Sequence, residues 1–277
     1  MSKIKSKHTR PMRLEAFATR HPILFGLAVN LACIAMLLVV AKAVPLLSSE
    51  VHAQVICSDI GRLLVAFLFI LLLLHLRWFR AAGFRRTDGP GKWLAIIPPT
   101  IYLCIVVPYI MFYTLRADLS YPLLSALIFL HGLTAGLIEE TVFRGVIMYG
   151  LLRSWGDTHR GVTKAVWVST LFFGMTHISN MLVGGPLFGT LSQAIYAVAV
   201  GICLAAIVLY TKSIWPGMLF HGLIDATTQV IQIGKTGGLP PASSILLIVA
   251  MLPVGLYGLY LLRRARVARQ QAGEAKE

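Results

Sequence analysis

Two adjacent glutamates, Glu139 and Glu140, and an arginine, Arg144, lie in the stretch IEETVFRG (residues 138–145), inside an apolar run long enough to cross a bilayer. Carboxylates at such depth are costly and normally face a polar cavity, a partner or a reaction. Two later runs supply matching groups: FFGMTHISN, with Phe173, His177 and Asn180, and HGLID, with His221 and Asp225. Glu140 and Arg144 are four apart with the acid first, the favourable order for a helical ion pair. Glu139 is rotated by about 100° from Glu140 on a helix of 3.6 residues per turn. It can therefore face a cavity while Glu140 is held by Arg144. His221 and Asp225 share a helix face; the aspartate can accept the ring proton and fix the tautomer, or act as a ligand or a substrate contact.

One carboxylate with two histidines suits two chemistries. Glu139, His177 and His221 can bind Zn²⁺ and leave a position open for water, as in a Lewis-acid hydrolase. Alternatively Glu139, helped by His177, activates water directly while His221 and its neighbour stabilise the developing oxyanion. The chain has no HExxH, no G-x-S-x-G and no credible catalytic cysteine, so spacing alone does not choose between metal and no metal. A purely structural network of Glu140 and Arg144 is the rival reading of the acids.

These groups need helices to hold them at one depth, and the composition supplies them. Of 277 residues, 57% are hydrophobic and 13% charged, against about 25% charged in soluble domains. Apolar runs near 20 residues long alternate with short basic or polar segments, the pattern of a polytopic helical membrane protein. The net charge of +14 does not indicate a nucleic-acid partner, because the basic residues flank the apolar runs and so suit cytoplasmic anchoring and anionic lipid. Four cysteines, three of them inside apolar runs, give neither a disulfide framework nor a thiolate metal site. The first apolar run exceeds a signal-peptide core, so no cleaved signal is expected.

The pattern predicts about eight transmembrane helices, near residues 23–44, 60–76, 93–113, 121–152, 165–182, 187–210, 214–231 and 245–262. The fourth run is too long for one straight span and is expected to tilt, protrude, or break near Gly132 or Gly136. A basic N-terminal segment (1–22), a single membrane domain (23–262) and a basic tail (263–277) complete the organisation. Basic residues gather at the N-terminus, around 77–92 and 153–164, at Lys212 and at the C-terminus, while the opposite loops hold little beyond Arg116 and Lys235. This places both termini in the cytoplasm by the positive-inside rule. Asp59 and Arg62 are expected to pair at the outer surface. A rise of 1.5 Å per residue from the basic ends puts Glu139 about 20 Å deep, His177 and Asp225 about 18 Å and His221 about 12 Å. Three non-consecutive spans thus bring polar groups to overlapping levels.

Taken together, EETVFR (139–144), FGMTH (173–177) and HGLID (221–225) resemble the CPBP family, the type II CAAX prenyl endopeptidases and their bacterial Abi relatives, in order, spacing and placement on separate helices. The resemblance covers roughly residues 120–230. It implies an all-α membrane fold with a CPBP/Abi-like core in the bacterial inner (cell) membrane. It also implies an intramembrane endopeptidase acting on a hydrophobic or lipidated peptide. By the same resemblance Glu139 is the main catalytic glutamate and His177 its partner in water activation. His221 and Asp225 support the oxyanion or complete the polar site, and Glu140 and Arg144 maintain its geometry. The family is often described as metalloproteases, so Zn²⁺ and metal-independent glutamate chemistry both stay open. Asp225 stands where prenyl-processing members commonly have asparagine, and an ionised aspartate cannot donate to an oxyanion. The competing functions are a non-catalytic peptide-binding or bacteriocin-immunity factor and a proton-coupled transporter.

Overall fold

A computed structural model describes residues 13–85, 90–114, 120–233 and 240–274; Arg116, Lys235 and residues 1–12 lie outside these. The described residues form helices: α1 (Arg13–Arg20), α2 (Pro22–Leu47), α3 (Val51–His75), α4 (Ile97–Thr114), α5 (Pro122–Glu140), α6 (Tyr149–Trp155), α7 (His159–Thr176), α8 (Leu187–Thr211), α9 (Trp215–Ile231) and α10 (Pro241–Glu274). The protein is a polytopic all-α membrane protein. Among the described residues six helical segments are long and apolar enough to cross a bilayer: Pro22–Leu47, Val51–His75, Pro122–Trp155, His159–Val183, Leu187–Thr211 and Pro241–Ala265. The other two expected spans correspond to the shorter apolar segment Gly91–Val106, which runs from a 3₁₀ turn into α4, and to the 17-residue α9.

α8 sits at the centre. Its apolar window is 61% buried against 17% for that of α3, so α8 is walled by protein while α3 turns most of its surface to lipid. α10 and α7 pack along α8, and α9 joins α8 to α5. The second span begins nine residues before the position expected from hydropathy, because Glu50 caps α3 by accepting from the amides of His52 and Ala53. Those bonds, the Ala53 amide foremost, hold the Glu50 carboxyl below the usual carboxylate range. A carboxylate at this position satisfies amides that the first turn leaves without partners.

The basic segments collect at one end of the bundle. Arg153 pairs with Glu15 at 2.8 Å, which docks α1 on α6. The turn after α3 is clamped to the start of α9, where the Ile214 amide donates to Gly83 O and Trp215 Nε1 to Phe84 O, both at 3.0 Å. Gly83 sits at φ 98°, and its missing Cβ would stand 3.0 Å from the Ile214 nitrogen. Only glycine combines that backbone with that approach.

The long fourth run does not break at its glycines. α5 continues through Gly132 and Gly136 and then widens into π-helical turns over Thr141–Met148 before α6. The glycines serve packing instead. A Cβ on Gly132 would stand 2.2 Å from the Ala226 nitrogen, and one on Gly136 2.5 Å from that of Gly222. Small residues let the α5 and α9 backbones touch, as is common between membrane helices. Gly136→Ala is therefore expected to cost about 1–3 kcal/mol from overpacking, read as a lower unfolding midpoint in lipid. Turnover should fall with it, because the acids of α5 are held against His221 through this contact.

Candidate active site

The α5–α9 contact determines which polar groups meet. Glu140, the last residue of α5, is fully buried. Its Oε1 lies 3.0 Å from Arg144 Nη1 and 2.9 Å from His221 Nδ1. The expected Glu140–Arg144 pair is thus present, and the same carboxylate also orients the histidine. Arg144 is 1% exposed; its Nη2 donates to Gly201 O on α8 at 3.1 Å. Gly201 leaves room for this, since a Cβ there would press on Thr170, Phe173 and the guanidinium itself. Burying this pair carries a large desolvation cost that only mutual attraction and extra hydrogen bonds offset. Its geometry is correspondingly well fixed.

With Nδ1 of His221 committed to Glu140, Nε2 faces the other acids. It stands 3.6 Å from Glu139 Oε2 and 3.8 Å from Asp225 Oδ2, beyond hydrogen-bond range. Of the roles open to Asp225, fixing the His221 tautomer through Nδ1 is taken by Glu140, from another helix. Glu139 and Asp225 are the more open acids, with side chains 22% and 28% exposed against 0% for Glu140. Glu139 Oε2 accepts no hydrogen bond among the described residues. The π turns that follow the acids are a local departure of a kind often found at functional sites.

His177 closes α7 where the helix tightens into a 3₁₀ segment, His177–Val183. The Phe173 ring spaces the two histidines, edge-on to His177 at 5.0 Å and to His221 at 5.5 Å. It also stacks under the Arg144 guanidinium at 4.5 Å, a favourable cation–π contact. Phe173 is thus a spacer for the whole cluster. Asn180 makes no hydrogen bond to the acids among the described residues: its Nδ2 donates to Gln193 Oε1 at 3.1 Å.

Two cavities flank the cluster, and His177 lines both. One, of about 280 Å³, lies among α7, α8, α9 and α10 and receives His221 and Asp225 beside Ser192, Gln193 and Tyr196. The other, of about 180 Å³, lies among α2, α3, α5 and α7 and receives Glu139, Asn180 and Arg62. Hydropathy and motif spacing did not bring Gln193, Tyr196 or Arg62 to the site. For Arg62 the available signal was a charge inside an apolar run. Asp59, its expected partner, pairs instead with His131 Nδ1 at 2.6 Å and accepts from Thr134 Oγ1 at 2.8 Å.

The pattern of motifs has a counterpart among known families. A family model described as "Type II CAAX prenyl endopeptidase Rce1-like" matches residues 121–227. The match is consistent with assignment to the CPBP/Abi family, and the matched segment contains every candidate from Glu139 to Asp225. No curated protein and no solved structure matches the chain.

A zinc set of Glu139, His177 and His221 does not fit the side chains as they stand. Among the described residues no three His, Cys, Asp or Glu groups are arranged to hold a metal ion, and His221 has only Nε2 to offer. What the matched segment does present is a carboxylate beside a cavity, an oriented imidazole and a second histidine around two cavities. That arrangement can move a proton to and from water and stabilise a developing negative charge.

Proposed function

We propose that the protein is an intramembrane endopeptidase that hydrolyses a peptide bond in a hydrophobic, membrane-associated peptide, a prenylated one included. The observation that carries this reading is the division of labour between the paired acids. Glu140 is fully buried, its Oε1 shared by Arg144 and His221, whereas Glu139 lines a cavity with its side chain 22% exposed. In this reading water is held between Glu139 and His177. Glu139 takes its proton as the oxygen attacks the carbonyl carbon. His221, doubly protonated, donates from Nδ1 to Glu140 and from Nε2 to the oxyanion. Glu139 then returns the proton to the leaving amine as the C–N bond breaks. Asp225, acceptor-only when ionised, keeps its position beside Nε2 as a positioning residue.

The accompanying topology is eight membrane segments, α4 and α9 completing the set, within one domain spanning 23–262. The basic ends, and both termini with them, lie on the cytoplasmic side of a bacterial inner membrane. Purified protein in lipid, incubated with a peptide library that includes farnesylated CAAX-terminated peptides, should yield defined fragments by mass spectrometry. A chelator arm decides whether an ion is needed. A folded, monodisperse preparation that releases no fragment across the library would overturn the reading in favour of peptide binding, immunity or transport.

A further inference from the structure

Arg62 is a cation inside a membrane span, and nothing in the Rce1-like match accounts for it. It is part-buried and lines the same cavity as Glu139. Its one hydrogen bond among the described residues runs from Nη1 to the His131 carbonyl at 3.3 Å. A guanidinium carries five N–H donors in a fixed fork, so most of its capacity is unspent. Its obvious counter-ion, Asp59 one turn earlier, is taken by His131 and Thr134. No carboxylate among the described residues lies within ion-pair distance of it, and Glu139, Asp59 and Asp225 act on it only at longer range. A charge so placed is expensive unless it serves a ligand or a pathway, and a forked cation matches a carboxylate in bidentate fashion.

We propose that Arg62 anchors the free C-terminal carboxylate of the peptide substrate and thereby sets where the chain is cut. The anchor rests on the surroundings of Arg62; the register rests also on the hydrolytic reading of Glu139. Arg62 and Glu139 line one cavity of about 180 Å³, so a carboxylate held by the guanidinium keeps the attacked carbonyl close behind it. Leu37 and Ile138 give the cavity apolar walls for the peptide's side chains. Arg62 acts here on binding and register, separately from the proton transfers at Glu139.

The test uses one farnesylated CAAX-terminated peptide synthesised as the free acid and as the C-terminal amide, with full-length protein in lipid. Wild type should prefer the acid by about ten-fold or more in kcat/KM, the size expected for hydrogen bonds to a charged group. Arg62→Gln should erase the preference mainly through KM, and Arg62→Lys should retain part of it. Equal cleavage of both forms by wild type, or a preference that survives Arg62→Gln, would overturn the anchor. Equilibrium binding of the same two peptides separates this from the hydrolytic reading. If neither is cleaved yet the acid binds more tightly in an Arg62-dependent way, the anchor stands and hydrolysis falls. If neither form binds, or both bind alike, the anchor falls.

Discussion

Glu139→Gln should lower peptide-bond hydrolysis by about 10²–10⁴-fold, the usual contribution of a positioned general base, while leaving the folded protein intact. The substitution keeps the size of the side chain and removes its ability to take a proton. Little else depends on that carboxylate: its Oε2 accepts no hydrogen bond among the described residues, and His221 Nε2 is 3.6 Å away. The loss should therefore appear in kcat, with the unfolding midpoint in lipid near that of wild type. Fragment release measured by mass spectrometry on wild type and variant, at matched protein and lipid, checks both halves. Turnover that survives the substitution would move the base elsewhere, with Asp225 the next open acid.

Glu140→Ala should behave in the opposite way, with stability as its first casualty. It leaves the Arg144 guanidinium, 1% exposed, with a backbone carbonyl and an aromatic face but no carboxylate. Removing one partner of a buried ion pair typically costs about 3–5 kcal/mol. It also deprives His221 Nδ1 of its acceptor, so turnover should fall even in the molecules that stay folded. Replacing both partners, Glu140→Leu with Arg144→Met, should recover much of the stability, because apolar pairs of similar volume often substitute well for buried ion pairs. It should not recover activity. Reversible unfolding in mixed detergent micelles measures the first effect and peptide cleavage the second. A single variant as stable as wild type would mean that water reaches Arg144 and that the pair is not buried in the membrane-embedded protein.

These two predictions separate adjacent residues of the same type, and the sequence already carried the basis for that separation. A step of about 100° between neighbours on a helix puts Glu139 and Glu140 on different faces, and the four-residue spacing to Arg144 selects Glu140 for the ion pair. Such relations are local, and local relations follow from covalent geometry whatever the rest of the chain does. Helix content and most span limits were legible for the same reason. In a bilayer the backbone must satisfy its own hydrogen bonds, so a long apolar run has little choice but to be a helix. The start of α3 was misread because one capping carboxylate outweighed the polar character of the residues after it.

What the chain alone left open is which groups meet across helices. His221 has an aspartate one turn away on its own helix, yet its ring proton belongs to Glu140 on α5. The reason is tertiary: Gly132 and Gly136 let α5 and α9 close to backbone contact, and that approach brings Glu140 under Nδ1. The same glycines read in isolation as a candidate break in a run that could equally tilt or protrude. Asp59 and Arg62 read as a surface pair, but packing of α3 on α5 gives Asp59 to His131 and Thr134 and leaves Arg62 with Glu139 in a cavity. Spacing along the chain determined which groups were available and at what depth. Only the close approach of helix to helix decided their partners, because a charge out of water takes the best-placed counter-group in space and not the nearest in sequence.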